Sequence, residues 1–272
     1  MAKEIKTTQA ELDAIFKRLE RDYGALNEKQ QAYAIREIGQ VRGEISDMLA
    51  DYANNKGKIT RRRLSRLLRD LDEIEESIRE HGELALNSII EQSSEWTVRN
   101  VNKAIGITLS TSSFDRINNY VVKYVVKRFG DDGLVLSDRI WGLSGEIRDE
   151  LATVIRRDIL KGESINKMIP NIRKVYENET WKIRRLARTE SLTAHRAATS
   201  YNAQDSGVVK YVQFNDGTCG RKDHNTHKCY ELAQKDPYGK GRGIYKPNDT
   251  EIWLPHPNCT SWVSYVLDER WL

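Results

Sequence analysis

TWKIRRLARTESLTAHRAATSYNAQDSGVVKYVQFNDGTC, residues 180–219, contains the change of periodicity that decides the fold. From Thr180 to Asp205 the stretch opens on a capping residue and reads as a helix. After Gly207 the texture changes, and Val208 to Phe214 alternates as a strand does. A polar loop with a cysteine, Cys219, follows. A helical body therefore gives way near residue 205 to a small tail that contains strands.

Upstream, the helical text continues almost to the start. Thr8 and Glu11 fit a capping box, after which Leu12, Ile15, Phe16, Leu19, Tyr23 and Leu26 recur at helical spacing. Ile35, Ile38, Val41, Ile45, Met48, Leu49 and Tyr52 give a second helix, stopped by Asn54, Asn55 and Gly57. Thr60 caps a third, with Ile59 and Leu64 as a hydrophobic staple. Its residues Leu64, Leu67, Leu71, Ile74 and Ile78 step by three and four as a short heptad seam. Arg61, Arg62, Arg63, Arg66 and Arg69 lie on its outer face before the charge reverses at Asp70, Asp72, Glu73, Glu75 and Glu76; a solvated face is the plainer reading and contact with a partner the alternative. Further helices are predicted over Ser113–Phe129, Ser137–Leu160, Ser164–Tyr176 and Thr180–Asp205. Gly162 is a C-terminal stop, and Pro170 should kink or shorten one of them.

Downstream, Trp262 to Leu267 reads as a second strand. Asp236 to Asp249, with Pro237, Gly239, Gly241, Gly243 and Pro247, reads as a loop without a regular element. The expected fold class is mainly α: an elongated multi-helix body with a small C-terminal α+β Cys/His module of zinc type. In chain order it divides into a charged, coiled-coil-like region 1–105, a helical domain 106–205 and the module 206–272.

Charged residues make up 31% of the 272, and mean hydropathy is −0.67, values that suit long, partly exposed helices. The 44 Lys and Arg are nearly balanced by 40 Asp and Glu, so the net charge is only +4 and any DNA contact must be local. No apolar stretch reaches the ~18–20 residues that span a bilayer. Met1 to Lys6 lacks the apolar run of a secretory signal, so synthesis in the cytosol and no membrane partner are expected.

Three cysteines, Cys219, Cys229 and Cys259, all lie in the last fifth of the chain; an odd number so placed favours metal over a disulfide framework. Cys219, Cys229, His256 and Cys259 can make a closed tetrahedral zinc site in a segment too poor in apolar residues to build a core alone. Cys219 and Cys229 are ten residues apart, wider than a usual knuckle. His256-Pro257-Asn258-Cys259 has the tight spacing by which one turn presents two ligands, and is the stronger signal. Asp223, His224 and His227 are alternates for the shell or supports behind it. A His-Asn-His type nuclease reading exists in Asp223-His224-Asn225 with His227 and His256, but the strand-turn-helix order such sites need is not legible. A Cys229 nucleophile has His227 nearby in sequence but no orienting third group.

Ile183-Arg184-Arg185-Leu186-Ala187-Arg188-Thr189-Glu190 resembles the "ARTE" helix that marks the phage Mu protein F-like minor head family. Arg139-Ile140-Trp141, Ile159 to Ser164 and Ser206-Gly207-Val208 are similar to that family's helix, Gly turn and entry to the strand. Asp216-Gly217-Thr218-Cys219 and Cys229-Tyr230-Glu231-Leu232 resemble two halves of its knuckle, with Gly220 to Lys228 as an insertion. His256 to Ser261 is similar to its closing signature, without the basic residue and the second Cys that usually follow. The likeness covers about residues 136–268.

The resemblance implies a minor head protein of a tailed phage, made in the host cytoplasm and carried in the virion. Its partners would be the portal, capsid or scaffold components and packaged DNA, its roles head morphogenesis and DNA ejection, and it would turn over no substrate. Arg184, Arg185 and Arg188 lie on the ARTE helix, and Arg188 could pair with neighbours of Glu190 or bind phosphate, though solvated arginines on a packed helix are the plainer reading. The alternatives are a metal-dependent DNA nuclease and a coiled-coil adaptor pairing through Leu64 to Ile78.

Overall fold

The structure is a computed structural model that describes residues 8–130, 132–217 and 224–267. Six long helices come first: α1 (Gln9–Ile38), α2 (Val41–Tyr52), α3 (Arg61–Ala104), α4 (Thr111–Lys127), α5 (Leu136–Leu160) and α6 (Ile165–Ser206). A small region follows with β1 (Tyr211–Asn215), α7 (Lys228–Gln234), β2 (Ile244–Tyr245) and β3 (Trp262–Val266). The fold is therefore mainly α with a small C-terminal sheet and a Cys/His cluster. No helix among the described residues is long and apolar enough to cross a membrane.

The chain forms two compact units, one of Met1–Gln30, Asn87–Asp131 and Arg185–Leu272, the other of Gln31–Leu86 and Asp132–Arg184. Three of the four dividing points fall inside α1, α3 and α6, and the fourth lies between α4 and α5. In the first unit, every residue of α6 from Thr189 to Ser200 is buried. Ala194, Ala197 and Ala198 give little bulk, so neighbouring backbone can come close, while the polar side chains between them find partners. The Tyr23 hydroxyl donates to the Ser191 carbonyl at 2.7 Å, and Ser191 Oγ donates to Gln30 Oε1 at 2.6 Å. His195 Nδ1 meets Thr97 Oγ1 at 2.7 Å, and Asn102 donates to Asn202 at 2.8 Å. Arg128 and Glu190, both buried, pair at 2.8 Å.

The sheet of the first unit is antiparallel with order β2-β1-β3. Val212 and Phe214 of β1 point inward in strict alternation. Tyr265 of β3, wholly buried, accepts from Asn202 and donates to the Thr199 carbonyl, tying the sheet to α6.

In the second unit, the α3 seam residues Leu67, Leu71, Ile74 and Ile78 are buried, so the heptad stripe folds back within the chain. Arg61, Arg62, Arg63, Arg66 and Arg69 are exposed, as a solvated face requires. α5 ends where Gly162 takes φ 73°, with Glu163 N–H donating to Asp158 O and Gly162 N–H to Ile159 O, a Schellman stop that glycine permits. The chain then re-enters α6 beside the α2–α3 link: Lys58 and Ser164 form an antiparallel bridge.

The structure corrects several expectations. The helices predicted over Ser164–Tyr176 and Thr180–Asp205 are one. Thr180 Oγ1 donates back to the Glu177 carbonyl at 2.8 Å, so its hydroxyl is satisfied inside a helix instead of capping a new one. Pro170 does not end α6; it sits only five residues into it, where few internal hydrogen bonds are at stake. The run from Ile35 to Tyr52 is broken at Gly39 and Gln40, so Ile35 and Ile38 belong to α1. α3 continues far beyond its seam. The supposed loop Asp236–Asp249 contains β2, two residues that pair with Val212 and Gln213. At the start, the capping box is present: Thr8 N–H donates to Glu11 Oε2 at 2.9 Å and Glu11 N–H to Thr8 Oγ1 at 3.3 Å.

Candidate metal centre

Two local structures present the ligand-type side chains. α7 places Cys229 and Leu232 three residues apart on its buried face. The second is the turn His256-Pro257-Asn258-Cys259, closed by Cys259 N–H donating to the His256 carbonyl at 3.3 Å. Pro sits at its second position, and Asn258 has φ 60° at its third, a left-handed conformation that Asn tolerates better than most residues. The sequence Pro-Asn thus bends the chain so that one turn carries two donors.

Cys229, His256 and Cys259 offer ligand atoms that all lie within 4.8 Å of one another, and so do His224, His227 and Cys229. Cys229 belongs to both groups. His256 Nε2 is 3.1 Å from Cys229 Sγ. Bonds of about 2.0–2.3 Å to a tetrahedral ion separate its ligand atoms by about 3.3–3.8 Å, so small side-chain shifts suffice to close a shell. Cys229 and Cys259 are 2% and 1% exposed and form no disulfide.

The donors are oriented from behind. His256 Nδ1 lies 2.9 Å from the Pro257 carbonyl, an acceptor that fixes the ring so that Nε2 faces the sulfurs, 3.1 Å from Cys229 Sγ. His224 Nε2 lies 2.7 Å from Asp216 Oδ2, so that nitrogen is taken up by a carboxylate. The His227 ring lies 5.2 Å from that of His256 and 5.6 Å from that of His224.

The thiols compete for charge. Burial pushes Cys259 up, but the hydrogen bond from His256, the Arg196 guanidinium and Ser261 outweigh it and hold the thiol below its ordinary value. Burial, then the negative charge of Cys259 and Asp216, pushes Cys229 well above its ordinary value. His256 is raised, chiefly through its interaction with the Cys259 sulfur. Negative charge on either sulfur disfavours it on the other, a conflict that a divalent cation between them would remove. The donor set thus fits a metal ion.

α6 carries the turn. Thr189 Oγ1 accepts from Asn258 N–H at 3.1 Å. The buried Arg196 donates from Nε to the Trp253 carbonyl at 2.7 Å and from Nη1 to the carbonyls of Ser261 at 2.9 Å and Cys259 at 3.1 Å. Gly217 N–H donates to Ser261 Oγ at 3.2 Å, and a Cβ at Gly217 would run into the backbone of Thr260.

Of the predicted ligands, the structure brings Cys229, His256 and Cys259 together and adds the alternates His224 and His227. Cys219 and Asp223 lie outside the described residues. The sequence reading missed Arg196 and the pairing of Asp216 with His224. A lone cation within the small-residue run Thr193-Ala194-His195-Arg196-Ala197-Ala198 was the available signal for the first. On the ARTE helix, Arg184 and Arg185 are exposed, while Glu190 is fully buried against Arg128. Comparison of the chain with protein-family models, curated proteins and solved structures found no match.

Proposed function

We propose that the chain is a minor head protein of a tailed phage whose C-terminal module is closed by a structural zinc ion. Cys229, His256 and Cys259 supply three ligands, and Cys219 or His227 the fourth. Thiolate with imidazole is a donor set that suits zinc better than calcium or magnesium, and a closed shell stabilises a fold without leaving a position for catalysis. The helical body then docks on portal, capsid or scaffold components close to packaged DNA, in the virion, and the protein turns over no substrate.

The observation that carries this reading is the hydrogen bond from Asn258 to Thr189. The ARTE helix and the His-Pro-Asn-Cys turn, the two signatures on which the resemblance rests, are 69 residues apart in the chain and meet in one structural joint.

The test is quantitative mass spectrometry of particles purified from a lysate of the strain that encodes the chain. The chain is expected in the particles at a small fraction of the major capsid protein. Its absence from particles that contain portal and capsid contradicts the reading.

A further inference from the structure

Residues 54–69 hold seven basic and no acidic residues, and residues 156–167 hold four basic and two acidic. Their combined charge of +9 is more than twice the +4 of the whole chain, so the remainder is net negative. Both segments belong to the second unit, and the fold joins them. Besides the Lys58–Ser164 bridge, Ile165 N–H donates to the Gly57 carbonyl at 2.9 Å, and the Arg61 guanidinium donates to the Leu160 carbonyl at 3.1 Å.

Little on this face offsets the charge. Asp158 is buried and taken up by Arg157 and Asn171, and Glu163 faces Lys167 at 3.2 Å. Lys58, Arg62, Arg66 and Lys161 are exposed and form no ion pair among the described residues. Arg61, Arg62 and Arg63 also fill the first turn of α3, which has no acidic residue. Cations there oppose the positive end of the helix dipole. Arg61 and Arg63 also donate to the Leu160 and Tyr52 carbonyls at the ends of α5 and α2, but the stability of α3 itself does not account for three cations there, whereas a bound polyanion reverses the sign of that interaction.

The composition selects the polyanion. Seven of the eleven basic residues are arginine, whose planar fork matches phosphate oxygens in pairs. Neither segment contains an aromatic residue, and the neighbouring Tyr52 is half-buried with its hydroxyl donating to Asp70, which disfavours both stacking of single-stranded bases and anchoring at a membrane interface. What remains is the phosphate backbone of a duplex, held without reading its sequence.

We propose that this face of the second unit binds duplex DNA through its phosphates. The face follows from the charge distribution; the choice of DNA over RNA rests on the head-protein reading.

The test is fluorescence anisotropy of the full chain with a random-sequence DNA duplex over a potassium chloride series. The parent is compared with the fourfold variant Lys58→Gln, Arg62→Gln, Arg66→Gln, Lys161→Gln. A second fourfold variant, Lys17→Gln, Arg18→Gln, Arg21→Gln, Lys29→Gln, removes the same charge from exposed positions of α1 in the first unit. Circular dichroism melts show that each variant folds. The face variant is expected to bind at least about tenfold more weakly and to flatten the slope of log affinity against log salt by about 0.9 per lost phosphate contact. The α1 variant should change affinity by less than about threefold, as a shift in net charge alone would. Equal loss in both variants, no loss in either, or a parent that binds duplex RNA or phosphatidylserine vesicles but not DNA overturns the proposal. Whether the chain is found in particles is read independently, so failure here leaves the head-protein reading standing.

Discussion

Thr189 on α6 accepts the backbone hydrogen of Asn258 at 3.1 Å, and Asn258 is the left-handed residue of the turn that presents His256 and Cys259. A helix that is otherwise packing material thereby sets the position of two metal-type ligands. Thr189→Val keeps the shape and removes the acceptor. It should cost about 1–2 kcal/mol and weaken metal binding, whereas Thr189→Ser should leave both nearly unchanged. Thermal melts and chelator competition on the three proteins check this.

Arg196 is the second support. Arg196→Met leaves the carbonyls of Trp253, Cys259 and Ser261 without their donor, each worth roughly 1–3 kcal/mol when buried. A total loss on the order of 3–5 kcal/mol in urea titration is expected. Arg196→Lys, with a single donor head, should recover only part of it.

The pair Arg128–Glu190 is 5% and 0% exposed at its side chains. Removing one partner leaves a buried charge unbalanced, so Glu190→Gln should destabilise by about 3–5 kcal/mol. The double variant Arg128→Met, Glu190→Leu should lose less than either single change, because no unpaired charge is left behind. A double-mutant cycle by chemical denaturation measures the coupling.

Two glycines separate close approach from open space. Gly217→Ala drives a methyl into the Thr260 backbone next to Cys259 and should cost about 1–3 kcal/mol while lowering metal content. Gly142→Ala, inside α5 with nothing near the added methyl, should stabilise by about 0.5–1 kcal/mol. Equal effects at the two positions would contradict the packing described for the turn that carries His256 and Cys259.

What the sequence revealed was local. Gly162, the Thr8–Glu11 box and the Pro-Asn turn each act within a few residues, so their signals are complete in a short window. Leu67, Leu71, Ile74 and Ile78 announced a buried stripe by spacing alone. What it concealed depends on partners far along the chain. β2 is two residues long and exists only because Val212 and Gln213 lie beside it. Thr180 carries the chemistry of a cap and of a mid-helix hydroxyl alike, and tertiary packing decides between them. Arg196 finds its acceptors 57 to 65 residues away, at a distance no periodicity reports. The compact units interleave three and two segments of chain, a partition that cuts made in sequence order do not express.

The metal content of the purified full chain, by elemental analysis, tests the central claim most directly, with Cys229→Ser, Cys259→Ser and His224→Ala beside the parent. About one zinc ion per parent chain is expected, retained in His224→Ala and lost in both cysteine variants. A parent without bound metal, or a metal that stays when Cys229 and Cys259 are replaced, would contradict it.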